Sequence, residues 1–116
     1  MPTLQDIIDK LELKVLTEPR DFSANTPASG YASDLLSCVM AGAQKHAVWV
    51  TLQSHANIVA IAALLDLSAI IITEGAMPDP SSIARANEEE INLFFTHKPT
   101  YTIVGKLWEL GLRSGE

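Results

Sequence analysis

The side chains best suited to chemistry stand together between two apolar segments and are Gln53, Ser54, His55 and Asn57. A histidine donates or accepts a hydrogen bond and changes charge near neutral pH, so it can hold a ligand or move a proton. The neighbouring hydroxyl and amide groups can hydrogen-bond a polar ligand. The cluster therefore predicts a binding site, with His55 as its leading candidate.

The elements around this cluster decide which other polar residues can join it. Residues 47–52 have the β-branched and aromatic composition of a buried strand, and residues 56–65 have the apolar spacing of a helix. The apolar run 68–73 predicts a further strand, and its uninterrupted character is typical of a sheet covered on both faces. Each of these strands ends in polar residues.

Parallel strands would bring these polar ends together, because the carboxyl ends of parallel strands lie at one edge of the sheet and ligands bind there. Helix N-termini near Asp34 and Ser54 would add backbone N–H groups that suit an anion. We therefore predict a small anionic ligand, a nucleotide or a phosphorylated metabolite, at that edge. The candidate ligand-binding residues are Gly30, Ser33, Asp34, Gln53, Ser54, His55, Asn57, Thr73 and Glu74.

Structural roles compete with this interpretation. Ser54 is suited to cap the third helix, and Ser33 or Asp34 is suited to cap the second. Gln53 and Asn57 can instead tie loops together through backbone hydrogen bonds. Catalysis would need His55 within reach of Asp34 or Glu74. We assign no catalytic residue, and since no His-x-x-x-His or similar spacing occurs, we predict neither a metal site nor a cofactor.

The alternation of helix and strand patterns predicts the fold class. It is typical of an α/β fold with a three-layer-like, largely parallel sheet and helices on both faces, and residues 1–116 are expected to form a single domain. Thr3 with Asp6 resembles a capping box, Asp79 with Pro80 predicts a helix start, and Gly111 predicts a helix end. The predicted strands are 13–17, 47–52, 68–73 and 91–96, with a strand-like segment at 30–33.

Composition argues against several classes of protein. The net charge is −6, and the lysines and arginines form no cluster, so we expect neither nucleic-acid binding nor attachment to anionic membranes. No apolar run reaches the length of a membrane span, and the polar N-terminus predicts a cytoplasmic protein. Cys38 is the only cysteine, and we expect it on a buried helix face.

Aromatic and sulfur-containing side chains suggest a core and a contact surface. Trp49 lies within a predicted strand and is expected in the core, while Met40 and Met77 are expected in the core or at an interface. Tyr101 and Trp108 lie on the last helix, which is apolar on more than one face. That helix predicts a partner surface, and a homodimer is the commonest assembly for such a domain.

Several segments resemble the DRTGG domain family over nearly the whole chain. They are GYASDLLSCVMAGA at 30–43, VWVTLQSHANIVAIAALLDLSAIIITEGAMPD at 48–79 and KLWELGL at 106–112. The motif that names the family should fall just before Gly30, where this chain has NTPASG and lacks the Asp-Arg pair and the paired glycines. Any role of that arginine is therefore not expected here.

The resemblance implies an α/β domain similar to the N-terminal part of bacterial HPr kinase/phosphorylase. Similar domains lie inside phosphotransacetylases and between CBS modules of some pyrophosphatases, where they resemble regulatory or dimerising modules. The chain has no Gly-x4-Gly-Lys-Ser/Thr, so it is not a kinase by itself. We therefore predict a non-catalytic regulatory or interaction module that self-associates, with a protein partner as a further expectation. Two alternatives remain: a small phosphoryl- or acyl-transfer enzyme using His55 with a nearby carboxylate, and a passive subunit of a larger complex.

Overall fold

A five-stranded sheet forms the middle layer of the computed structural model, which describes residues 1–115. The strands are β1 (Lys14–Val15), β2 (Ser29–Ala32), β3 (Ala47–Thr51), β4 (Ala69–Ile72) and β5 (Leu93–Phe95). Their order across the sheet is β1-β5-β4-β3-β2. Strands β2 to β5 are parallel, and β1 runs antiparallel to β5. The predicted α/β class and largely parallel sheet are confirmed.

Helices cover both faces of this sheet, as predicted. They are α1 (Leu4–Leu11), α2 (Leu36–Gly42), α3 (Asn57–Leu65), α4 (Pro80–Glu88) and α5 (Thr100–Glu109). One apolar cluster joins α1 and α5 to the sheet, and a second joins α2, α3 and α4 to the opposite face. The helices that connect the parallel strands in sequence therefore all lie on one face, and the first and last helices lie on the other.

Alternating side chains of the central strands divide between the two clusters. Val48 and Val50 point to the α1/α5 face, whereas Trp49 points to the other face and is fully buried. Each large apolar side chain buried in this way contributes roughly 1.5–3 kcal/mol relative to an exposed position. The core position predicted for Trp49 is confirmed, and the two clusters together fix the strand register.

The first helix begins, and the last helix ends, as the sequence predicts. Thr3 Oγ1 accepts from the Asp6 backbone N–H at 3.1 Å, and the Asp6 carboxylate accepts from the Thr3 N–H at 2.9 Å, which completes the capping box. These hydrogen bonds lower the pKa of Asp6. At the other end, Gly111 adopts φ +100°, and the N–H of Leu112 donates to the Leu107 carbonyl at 3.0 Å. This is the C-terminal turn for which glycine is favoured.

The predicted caps of α2 and α3 are wrong, whereas the predicted start of α4 at Asp79 and Pro80 is confirmed. Helix α2 begins after Leu35 and α3 after Ala56, so neither Ser33, Asp34 nor Ser54 is the N-cap residue. Asp79 does precede Pro80 at the start of α4, but its side chain makes no capping hydrogen bond. The reason at α2 is that the Asp34 carboxylate bonds to β3 instead, as described below.

The position predicted for Cys38 is also wrong, because Cys38 is exposed rather than on a buried helix face. Met40 and Met77 are exposed as well, so neither lies in the core, and their place at an interface stays a prediction. Helix α2 lies over the edge strand β2, where only Val39 of the helix is buried. Because an edge strand offers a narrow apolar surface, one turn of α2 reaches the core and the rest faces solvent. No helix within residues 1–115 has the length and hydropathy that crossing a membrane requires.

Candidate functional site

Threonines close the carboxyl ends of the three central strands and join the loops that follow. Thr51 ends β3, while Thr73 and Thr96 directly follow β4 and β5, and all three are buried. The Thr73 hydroxyl lies 3.3 Å from the Thr51 carbonyl and 2.6 Å from the Thr100 hydroxyl. These contacts bring the strand ends to one edge, as the sequence predicts for Gln53, Thr73 and their neighbours.

The Asp34 carboxylate ties the loop after β2 to the end of β3. Its Oδ1 accepts from the Thr51 hydroxyl at 2.7 Å and from the Leu52 N–H at 2.8 Å. The Gln53 amide in turn donates to the Asp34 carbonyl at 3.1 Å. Asp34 and Gln53 are thus brought together, and both are engaged in holding adjacent loops.

The Glu74 carboxylate ties the loop after β4 to the start of α5. It accepts from the N–H of Thr100, the first residue of α5, at 2.7 Å. Its own N–H donates to the Lys98 carbonyl at 3.0 Å, and Glu74 adopts φ +60°, a left-handed conformation that is uncommon for a residue with a side chain. The Glu74 carboxylate therefore joins β4 to α5, while the Thr73 hydroxyl contacts both the end of β3, at the Thr51 carbonyl, and α5, at the Thr100 hydroxyl.

Ser54, His55 and Asn57 lie between Gln53 and the first turn of α3, where His55 and Asn57 are exposed and Ser54 is half-buried. His55 Nδ1 accepts from the Asn57 N–H at 3.1 Å, so the imidazole serves the start of α3 that Ser54 was expected to cap. Within residues 1–115 the hydroxyl of Ser54, the Nε2 of His55 and the amide side chain of Asn57 have no hydrogen-bond partner. These groups are consequently available to a ligand.

Gly30 and Ser33 make no hydrogen bond with Ser54, His55 or Asn57 among the described residues. Gly30 is within the edge strand β2, and its N–H donates to the Arg113 carbonyl at 2.8 Å. Ser33 Oγ accepts from the Leu35 N–H at 3.1 Å, and its carbonyl accepts from the Trp49 indole N–H at 2.9 Å. Gly30 thus borders a separate apolar cavity beside α5, and Ser33 holds the turn before α2.

Three cavities of different character border the sheet. An apolar cavity of about 220 Å³ lies between β2 and α5. A polar cleft of about 520 Å³ lies at the amino ends of β3, β4 and β5 and includes His46, Asp66 and Asn92. The third, of about 430 Å³, lies at the end of β5 beside β1. No group of three or more His, Cys, Asp or Glu side chains in the described part of the chain is arranged to hold a metal ion.

Sequence reasoning missed Thr51 and Thr100, the two residues that connect the predicted site to the rest of the fold. The available signal was the recurrence of threonine at the end of each central strand, at Thr51, Thr73 and Thr96. A hydroxyl at that position can accept from the turn and donate to the next strand. Thr51 Oγ1 accepts from the Gln53 N–H of the turn at 3.1 Å, and it donates to the Asp34 carboxylate in the loop after β2 rather than to a strand.

Comparison with known proteins identifies the fold. No family model matches the chain, and no curated protein matches it in sequence. The chain is similar in structure to the CBS and DRTGG domains of the regulatory region of Clostridium perfringens pyrophosphatase, solved in complex with the activator diadenosine tetraphosphate. The TM-score is 0.72 at 19% identity, and the match covers 97% of this chain and 48% of that one, so this chain spans about half the length of its neighbour. The chain therefore has a DRTGG-like α/β fold.

Proposed function

We propose that this chain is a non-catalytic regulatory module that self-associates and binds a small anionic ligand at the carboxyl ends of its strands. The fold supports the regulatory part of the proposal. A domain of this fold belongs to the regulatory region of the clostridial pyrophosphatase, and that region was solved with a nucleotide activator. By analogy, the role of this chain would be regulation through a bound small molecule.

Self-association rests on one observation, an exposed apolar stripe along α5. Tyr101, Val104 and Trp108 are 90%, 38% and 54% exposed and share one side of the helix at spacings of three and four residues. Val104 and Trp108 also line the apolar cavity beside β2. A continuous apolar surface of this kind is typical of a protein contact, and a second copy of the same chain is the commonest partner.

Introducing a charge into this stripe is expected to weaken the dimer. Val104→Glu places a carboxylate in a contact that excludes water, so the dissociation constant should rise at least about tenfold. Sedimentation equilibrium over a range of concentrations measures this constant directly. Val104 is partly exposed, so the monomer should retain its fold, which circular dichroism checks.

Leu64→Glu is the matched control for that experiment. Leu64 is also an exposed apolar residue on a helix, but it belongs to α3 on the opposite face of the sheet. Its replacement should leave the dissociation constant unchanged. Wild-type protein that stays monomeric at the highest concentration, or equal effects of the two variants, would contradict self-association through α5.

The ligand part of the proposal rests on the loop after β3. Ser54, His55 and Asn57 present hydrogen-bonding groups that have no partner within residues 1–115, next to a strand end that Asp34 and Thr51 join by hydrogen bonds. A ligand that binds only the folded state raises Tm by mass action, by several degrees at a hundredfold excess over Kd. A thermal-shift series with adenine nucleotides, acyl phosphates, sulfate and citrate tests this. An unchanged Tm with every compound would remove the ligand from the proposal.

The alternative of a transferase gains no support from the geometry. It needs His55 beside a carboxylate, but Asp34 is bonded to β3 and Glu74 to the start of α5. Neither acid forms an ion pair with His55 among the described residues. A regulatory module therefore remains the better account of this site.

A further inference from the structure

The connections after β4 and β5 leave the sheet on opposite faces. The chain passes from β4 to α4 on the Trp49 face, and from β5 to α5 on the other face. The connections after β2 and β3 both lead to the Trp49 face, so β4 and β5 form the one place among the parallel strands where neighbouring connections diverge. Open α/β sheets bind ligands in the crevice at such a point, outside the carboxyl ends of the strands.

The cavity of about 430 Å³ lies at this end of β5, on the side of β1 rather than of β4, and Met77 of the connection after β4 also lines it. Its volume is within the range of sites that hold small molecules. Phe95 and Met77 supply apolar surface, and basic side chains supply polar surface. The cavity is thus large enough for a phosphorylated metabolite and has walls of two kinds.

Three basic side chains line this cavity in a protein whose net charge is −6. Lys14 pairs with Phe95 across the antiparallel strands, so both side chains project from the same face of the sheet. The His97 ring packs edge-on against Phe95 with 5.0 Å between the ring centroids. Lys98 Nζ lies 3.2 Å from the Leu11 carbonyl, which holds its ammonium group at the cavity wall.

A backbone donor that has no acceptor in the described part of the chain belongs to His97, which lines the same cavity. The Thr96 N–H donates to Ile72 of β4, so the next N–H, that of His97, faces the β1 side. Strand β1 begins at Lys14 and offers no carbonyl opposite His97. The His97 N–H therefore has no hydrogen-bond acceptor within residues 1–115. An unpaired N–H beside two ammonium groups is a favourable environment for an anion.

From this arrangement we infer that the cavity binds the phosphoryl groups of a phosphorylated small molecule. The inference rests on the proposed anionic ligand and places its charged part at Lys14, His97 and Lys98. Glu12 competes with a phosphoryl group for Lys98, since its carboxylate lies 3.5 Å from Lys98 Nζ. The Glu12 side chain is 82% exposed, so it can turn into solvent when a phosphoryl group takes its position.

Calorimetric titration with pyrophosphate and with ADP tests this assignment. Lys14→Gln, which removes an exposed charge that has no partner within residues 1–115, should weaken binding of both compounds at least about fivefold. Lys98→Gln should do the same, and its fold is checked by urea unfolding because Lys98 also holds Leu11. Glu12→Gln should strengthen binding several-fold, since it removes the competing carboxylate, and a merely structural role of Glu12 does not predict that gain.

Lys45→Gln is the matched control because Lys45 precedes β3 at the opposite edge of the sheet; it should leave the affinity unchanged. Binding of ADP without pyrophosphate, or of adenosine as tightly as ADP, would overturn the phosphoryl assignment. Binding that His55→Ala abolishes and the lysine variants do not would overturn the cavity while leaving the proposed function intact. If neither phosphate compound binds but citrate raises Tm, the cavity assignment would likewise be overturned and the proposed function would stand.

Discussion

Trp49→Ala is expected to lower the free energy of unfolding by about 3–5 kcal/mol, the largest effect of any replacement considered for this protein. The Trp49 side chain is fully buried beneath α2 and α3, where its removal leaves a large cavity. It also removes the indole N–H that donates to the Ser33 carbonyl at 2.9 Å. Urea unfolding followed by far-ultraviolet circular dichroism measures the loss.

Two controls separate the contributions to that loss. Trp49→Phe keeps most of the buried volume but removes the hydrogen bond, so it should lower the free energy of unfolding by roughly 1–2 kcal/mol. Trp108→Ala removes a half-exposed indole that stacks on Arg113, and the loss should be about 1 kcal/mol or less. Equal losses for Trp49→Ala and Trp108→Ala would contradict the position of Trp49 at the centre of the core.

The class and direction of the sheet could be predicted because they depend on long patterns. The run of apolar residues at 68–73 is explained only by a strand covered on both faces, and β4 is such a strand, with Ile70 and Ile72 on one face and Ile71 on the other. Each apolar position in the run independently supports the prediction of a strand covered on both faces. The strand boundaries depend on single hydrogen bonds, and β4 and β5 are shorter than predicted.

The helix starts could not be predicted with the same success because a polar side chain near a helix has several partners within reach. Asp34 lies two residues before α2, but the Thr51 hydroxyl and Leu52 N–H offer its carboxylate a better-placed pair of donors. Those donors are more than fifteen residues away in the sequence and come close only once β2 and β3 pair. Thr3 and Asp6 have no such competing partners, and their capping box forms as predicted.

The candidate site shows a similar division. The alternation of strand and helix patterns predicts parallel strands, whose carboxyl ends lie at one edge of the sheet. This part of the site therefore follows from the sequence. Which junction opens into a crevice depends on whether neighbouring connections go to the same face or to opposite faces. The sequence does not reveal the face on which each helix packs, so it does not predict the cavity that Lys14 and His97 line.

Asp34→Ala is expected to lower the free energy of unfolding by about 2 kcal/mol. The replacement removes two charge-assisted hydrogen bonds and leaves the Leu52 N–H and the buried Thr51 hydroxyl without their acceptor. Asp34 is itself partly solvated, which keeps the expected loss below that of a fully buried carboxylate. Asp34→Asn retains an acceptor oxygen and should lose about 1 kcal/mol or less.

A double-mutant cycle with Thr51→Val shows whether Asp34 acts through the strand end. If it does, the double variant should lose less than the sum of the two single variants, because each removes the same hydrogen bond. Additive losses would mean that Asp34 stabilises the loop independently of Thr51. Asp34 would then be free to serve a ligand, whereas strong coupling assigns its carboxylate to the framework that holds Ser54, His55 and Asn57 at the edge of the sheet.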